Sequence, residues 1–70
     1  MKKLIARRCI YPVGRAMLGA FDGDRFIAGF EKKPKEVENW CRAGATSLDR
    51  QRLQSFVDNV YGPGEYTIAA

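Results

Sequence analysis

The segment AMLGAFDGDRFIAGFEKKPKEVENW, residues 16–40, decides the fold. Apolar runs flank its Asp22-Gly23 pair. An Asp-Gly pair between two such runs is the strongest short-range signal for a β-hairpin, because a type I′ turn needs positive φ at both central residues. The sequence therefore predicts two antiparallel strands that meet at Asp22-Gly23.

A two-residue loop at this position also predicts the register of the strands. It places Phe21 opposite Asp24 and Gly19 opposite Phe26, so that the Phe26 ring covers a strand glycine. Both faces of the ribbon are apolar, and we expect helices to cover one face and a partner to cover part of the other. One predicted face carries Met17, Phe21, Phe26 and Phe30, and the other carries Ala16, Leu18, Ala20, Ile27 and Gly29.

A short helix is predicted after the hairpin. Pro34 suits the first turn of a helix. Within residues 34–44, Val37, Trp40 and Cys41 recur at i, i+3 and i+4, which is typical of one helical face. We expect Trp40 to pack between this helix and the sheet, with a half-exposed interface position as the alternative.

A second helix is predicted to follow. Thr46 and Asp49 form a capping-box pattern at its start, and Gly62-Pro63-Gly64 ends it. Its apolar stripe consists of Leu53, Phe56, Val57, Val60 and Tyr61.

Strands are predicted at both ends of the chain. Residues 3–11 are typical of a strand, residues 12–14 of a loop, and residues 65–70 of a final strand that lies next to the first. The order β-β-β-α-α-β predicts a single α+β domain over residues 1–70. Its simplest packing is a mainly antiparallel sheet of three to four strands with two helices on one face.

Length and charge limit the functions that this chain can have. Seventy residues bury a modest core, so a partner or a second copy in a homodimer would add stability. The net charge of +4 favours acidic partners, such as nucleic acid or an acidic protein surface.

The sequence also predicts a location. Arg7 and Arg8 interrupt the apolar run that an export signal needs, and no stretch approaches the roughly 20 apolar residues of a membrane span. We therefore expect a cytoplasmic protein without a membrane partner. In a reducing compartment, Cys9 and Cys41 are expected to be free thiols that act as small buried apolar side chains.

Catalytic and metal-binding patterns are missing from the sequence. Asp22-Gly23-Asp24 begins like a calcium loop, but apolar residues 26–28 stand where further oxygen ligands are needed. The chain has no histidine, which excludes Ser-His-Asp and Cys-His nucleophile systems, and it has no glycine-rich phosphate loop. We expect no enzyme activity, no metal and no cofactor.

Two binding functions fit these features. We expect a non-catalytic protein-interaction module that docks on a larger protein or nucleoprotein assembly with an acidic surface and regulates or inhibits it. Small proteins that act in this way are common among phage and mobile-element products, including inhibitors of host defence. The alternative is a small basic RNA- or DNA-binding protein, in which cations meet phosphates and bases stack on Phe26, Phe30, Tyr11 and Tyr66. The predicted contact residues are Arg7, Arg8, Arg15, Arg25, Lys32, Lys33 and Lys35.

Overall fold

The chain folds in the order β-β-β-α-α-β, which confirms the predicted α+β class. The computed structural model describes residues 2–10 and 15–69. The predicted loop at residues 12–14 and the ring of Tyr11 lie outside these ranges. The elements are β1 (Lys2–Ile10), β2 (Ala16–Asp22), β3 (Arg25–Glu31), α1 (Val37–Ala43), α2 (Ser47–Tyr61) and β4 (Tyr66–Ile68).

The strands form one mixed sheet in the order β3-β2-β1-β4. β2 is antiparallel to both β1 and β3, whereas β4 is parallel to β1, with Lys2 opposite Tyr66 and Leu4 opposite Ile68. The predicted position of the final strand, next to the first, is therefore confirmed.

Gln54 of α2 forms hydrogen bonds with the edge of β4 that faces away from β1. Its Nε2 donates to the carbonyl oxygen of Tyr66 at 3.0 Å, and its Oε1 accepts from the amide of Ile68 at 2.9 Å. These two backbone groups point away from β1, because the amide of Ala69 donates to the carbonyl of Leu4 on the β1 side. One side-chain amide thus pairs with the outer edge of β4 as a neighbouring strand would.

The turn of the hairpin lies one residue later than predicted. Its loop is Gly23-Asp24, and Asp22 lies opposite Arg25. Gly23 has a φ of 63°, and no non-glycine residue in the described ranges has a positive φ. A turn that needs the left-handed region only at its first central residue is type II′, and glycine enters that region without steric cost. The predicted type I′ turn and the register derived from it were wrong.

A bulge at Ile27 shifts the register of β3 further. Phe21 lies opposite Phe26, but Ala20 lies opposite Ala28, so Ile27 is one extra residue on this strand. Because side chains alternate between the faces of a sheet, one extra residue moves all the following side chains to the other face.

Phe30 shows the consequence of this bulge. It lies opposite Leu18 on the side of the helices, and its ring contacts that of Phe56 with 5.4 Å between the ring centroids. Gly29 lies opposite Gly19 and therefore on the face of the sheet away from the helices. The predicted faces of Phe30 and Gly29 were therefore wrong.

The cover over Gly19 is present as predicted. A Cβ atom at Gly19 would lie 2.9 Å from the ring of Phe26 and 2.9 Å from the ring of Phe21. The two rings pack edge to face with 5.5 Å between their centroids. The aromatic cover is thus confirmed, although the residue across the strand is Gly29 and not Phe26.

The core lies between the sheet and α2. Full burial of a leucine side chain contributes about 1.5–3 kcal/mol, so the fully buried leucines of β1, β2 and α2 supply much of the stability. The Cα radius of gyration of 11.5 Å is that of a compact chain. The buried cluster consists of Leu4, Leu18, Ala20, Ala28, Leu53, Val57 and Ile68.

α2 begins at the cap that the sequence supplies, whereas the N-cap residue of α1, Glu36, forms no side-chain capping bond. Thr46 Oγ1 accepts from the amide of Asp49 at 3.1 Å, and the Asp49 carboxylate accepts from the amide of Thr46 at 3.0 Å, so the predicted capping box is confirmed. α1 is shorter than the predicted range 34–44 and has no fully buried residue. Across the residues that the structure describes, neither helix has the length and apolar character needed to cross a membrane.

Candidate functional site

One face of the sheet lies away from the helices, and we call it the open face. Side chains alternate between the two faces along each strand, so the strand register decides which residues share it. The open face is formed by Lys3, Ile5, Arg7 and Cys9 of β1, Met17, Gly19 and Phe21 of β2, Phe26, Gly29 and Glu31 of β3, and Thr67 of β4.

The middle of the open face is apolar. Ile5 is 45% exposed and lies opposite Phe21, which in turn lies opposite Phe26. Arg7 extends over the Phe21 ring, with its guanidinium carbon 5.3 Å from the ring centroid. Such a cation–π contact contributes about 0.5–1 kcal/mol at an exposed site. An exposed aliphatic side chain beside an arginine that is held over an aromatic ring has the composition of a protein-interface centre.

The charged residues of the open face are mainly basic. Lys3 and Arg7 are exposed and form no ion pair with the described residues. Arg15, just before β2, approaches Glu31 to 3.8 Å, and both side chains are exposed, so this pair contributes little. The open face and its border therefore combine three cations with one acid around an apolar centre.

Arg8 lies on the face of β1 that the helices cover, and its guanidinium binds groups within the fold. Its Nε donates to the Asp49 carboxylate at 2.7 Å, and its Nη1 donates to the carbonyl of Trp40 at 3.3 Å. The Arg8 and Asp49 side chains are only 13% and 7% exposed. Arg8 thus links β1 to both helices, and its guanidinium is turned into the fold and not toward the open face.

Trp40 packs against the core and supports Arg8. It is half-buried, and the Arg8 guanidinium carbon lies 4.7 Å from the centroid of its ring. Trp40 thus contacts the core as expected, but it is only half-buried and also lines a depression at the surface.

Burial and hydrogen bonds act in opposite directions on the pKa of Asp49. Burial alone would raise it, but the Thr46 amide and the Arg8 guanidinium stabilise the carboxylate, and the pKa of Asp49 is lowered overall. The carboxylate is therefore the form that the fold requires.

Acid should weaken the fold through this carboxylate. Because the pKa of Asp49 is lowered in the folded chain, its contribution to the free energy of unfolding is complete above the ordinary aspartate value of 3.8 and is lost as the pH falls through the folded value. We expect urea denaturation at a series of pH values to show this loss as a fall of the free energy of unfolding at acid pH. In the Asp49→Asn variant, this fall should be less steep. Asp24→Asn, at the exposed turn, is the control. If the free energy of unfolding fell as steeply with acid in the Asp49→Asn variant as in the wild-type chain, the role given to the Asp49 carboxylate would be wrong.

A second basic group lies near the β3–α1 connection. Lys32, Lys33 and Pro34 line a small depression of about 290 Å³ together with Trp40. The Lys32 ammonium lies 5.9 Å from the centroid of the Phe30 ring. Lys35 is exposed in the same connection.

The structure does not bring the predicted contact residues together into one surface. Arg7 and Arg15 belong to the open face and its border, Arg8 is internal, and Arg25 is exposed at the hairpin turn. The three lysines of residues 32–35 form the separate group near α1.

Asp22, at the end of β2, forms an ion pair within the sheet. Asp22 accepts a hydrogen bond from the Lys2 ammonium at 2.8 Å, and this bond lowers the pKa of Asp22. Within residues 2–10 and 15–69, no group of three or more Cys, Asp or Glu side chains is placed to hold a metal ion. Asp22-Gly23-Asp24 is a turn with one ion pair.

The two cysteines are less buried than predicted. Cys9 and Cys41 are free thiols, but both are half-buried and not buried. Partial burial raises the pKa of the Cys9 thiol, which keeps it protonated and weakly nucleophilic at neutral pH.

Sequence reasoning missed two surface features. The exposure of Ile5 depends on which strand face the helices cover, and no local pattern reports that. A groove between α2 and β3 was also missed, although the sequence carries a signal for it. Leu48 and Phe56 are two helical turns apart and flank Arg52, so they form a second, mixed stripe on α2.

The chain matches no protein-family model, no curated protein and no solved structure. Its own surface chemistry therefore carries the functional inference.

Proposed function

We propose that this chain is a non-catalytic protein-interaction module that docks through its open face on an acidic and partly apolar surface of a larger assembly, and thereby regulates or inhibits that assembly. The observation that carries the proposal is the exposed Ile5 beside Arg7, which is held over the Phe21 ring and has no acidic partner among the described residues. Arginine and aromatic side chains at an apolar centre contribute strongly to protein interfaces.

The placement of the rings favours a protein over a nucleic acid. Single strands are held by rings on which successive bases stack. Phe30 faces the helices, and Tyr66 packs edge to face on Tyr61 with 5.1 Å between the centroids. Of the four rings considered for stacking, Phe26 is the one that the described structure places on the open face. The basic charge of this face still supports nucleic acid as the alternative.

The test is a pull-down with tagged protein from a lysate of the native host, with and without nuclease, using matched variants. We expect one protein to be retained after nuclease treatment. Ile5→Ser and Arg7→Glu should weaken its binding about tenfold or more, because truncation or reversal at an interface centre commonly costs over 1 kcal/mol. Lys33→Glu makes the same charge change away from the open face and should leave binding nearly unchanged.

Two outcomes would overturn the proposal. Retention of the partner at equal strength by Ile5→Ser and Arg7→Glu would exclude the open face as the docking surface. A nucleic-acid binder would give a different set of results. Nuclease treatment would remove all bound material, affinity would fall steeply as salt rises, and Lys33→Glu would weaken binding as much as Arg7→Glu. Thermal unfolding of each variant establishes that it is folded.

A further inference from the structure

A groove runs between α2 and the outer edge of β3. Its volume is about 510 Å³. Phe30 forms the β3 wall and packs edge to face on Phe56. Leu48, which is 51% exposed, lies at the end nearer the start of α2. The groove therefore offers an apolar floor that no side chain of the described structure fills.

The wall formed by β3 also carries backbone groups that no residue of the described ranges pairs with. β3 is at the end of the strand order, and the amide of Lys32 donates to the carbonyl of Ala16 at 2.9 Å. In an antiparallel ladder, residues alternate between pairing with the neighbour and pointing outward. Phe30 and Lys32 therefore turn their backbone toward β2, whereas Gly29 and Glu31 turn theirs toward the free edge.

Tyr61 closes one end of this edge. Its hydroxyl donates to the carbonyl of Ile27, the bulge residue, at 3.1 Å. A bulge and a bonded carbonyl prevent further strand pairing at that point. The free stretch of the β3 edge therefore begins at Ala28 and runs beside the groove.

The charge of the groove is positive. Arg52 projects from α2 into the lining and forms no hydrogen bond or ion pair with the described residues. The other polar groups of the lining, Gln51, Ser55 and Asn59, are uncharged, and no acidic side chain belongs to it. Glu31 points to the open face, where it approaches Arg15.

We propose that this groove binds an extended acidic peptide of a partner protein, which adds to β3 as a further strand. Gly29 and Glu31 exchange backbone hydrogen bonds with the peptide. A large apolar side chain of the peptide packs on Phe30 and Phe56, and an acidic side chain two residues away pairs with Arg52, because alternate residues of a strand face the same side. The site lies on the helix side of the sheet and is independent of the open face.

The probe is a displayed library of random octapeptides selected on the wild-type chain. We expect the recovered peptides to share a large apolar residue and an acidic residue two positions apart, so that both side chains face the groove. Their binding should weaken tenfold or more in Arg52→Glu, and it should be lost in Ser55→Trp, which fills the groove from an exposed position of α2 without changing the core. Arg42→Glu makes the same charge change on the exposed surface of α1 and should bind the peptides normally.

Amide hydrogen exchange of the full chain provides the structural readout. The peptide should slow exchange at Gly29 and Glu31 tenfold or more, and the neighbouring amide of Phe30, already paired with β2, should change little. Failure to select any peptide, selection of peptides insensitive to Ser55→Trp, or unchanged exchange at Gly29 and Glu31 would each overturn the proposal. Protection of these two amides without peptide, growing with protein concentration, would identify a second copy of the chain as the occupant instead.

Discussion

Asp49→Ala is expected to lower the free energy of unfolding by about 3–5 kcal/mol, because it leaves the Arg8 guanidinium buried without its carboxylate. The two groups lie 2.7 Å apart, and both are largely removed from water. The change also removes one half of the capping box at the start of α2. In a domain of this size, about 4–8 °C of the unfolding midpoint is lost for each kcal/mol, so thermal unfolding measures the effect directly.

Two controls separate the buried charge from other causes. Asp22→Ala breaks the exposed ion pair to Lys2 and should change the midpoint far less. Arg8→Met in the Asp49→Ala background should recover part of the loss, because no unpaired charge then remains buried. If Asp49→Ala were as mild as Asp22→Ala, the internal role given to Arg8 would be wrong.

Gly29→Val is expected to destabilise the sheet by about 1–3 kcal/mol or more, although valine is a better strand former than glycine. A Cβ atom at Gly29 would lie 2.5 Å from the carbonyl oxygen of Leu18 and 2.8 Å from the Cα of Gly19. Both are backbone atoms of β2, so relief of the clash requires the strands to separate. Strand propensity is worth at most about 1 kcal/mol here and should not compensate for the clash.

Gly19→Ala is the matched control for this prediction. Its Cβ would approach the ring edges of Phe21 and Phe26 at 2.9 Å, and side-chain rings can turn where backbone cannot. The alanine variant at Gly29 carries the same clashing Cβ as Gly29→Val, so in urea denaturation we expect Gly19→Ala to lower the free energy of unfolding less than Gly29→Ala does. A Gly29→Val variant as stable as the wild-type chain would show that β2 and β3 adjust freely at this position.

Signals that depend on neighbouring residues in the chain predicted the fold well. The pairing of Thr46 with Asp49 spans three residues, and an Asp-Gly pair between apolar runs is enough to predict a hairpin. The register could not be derived in the same way. Loops at residues 22–23 and 23–24 are both compatible with the local sequence, and the bulge at Ile27 is coupled to a distant contact, in which Phe30 packs on Phe56 of α2.

The candidate surfaces were less predictable for the same physical reason. Arg8 looked like a surface cation because its carboxylate partner is 41 residues away in the chain. Arg7, its neighbour, does lie on an exposed face, since adjacent strand residues point to opposite sides. The groove at Phe30 exists because β3 is an edge strand, and a strand order is a property of the whole sheet and not of any segment.

The amide of Gln54 has a consequence for self-association. A sheet can grow into a fibre only if it offers an unpaired strand on both sides. Gln54 occupies the outer backbone groups of Tyr66 and Ile68 on β4. In the described structure, these two groups are therefore closed to another strand, whereas the edge of β3 is not. A second copy that paired through β3 would use that edge in both copies, so growth that needs β3 and β4 in turn would not continue past the pair.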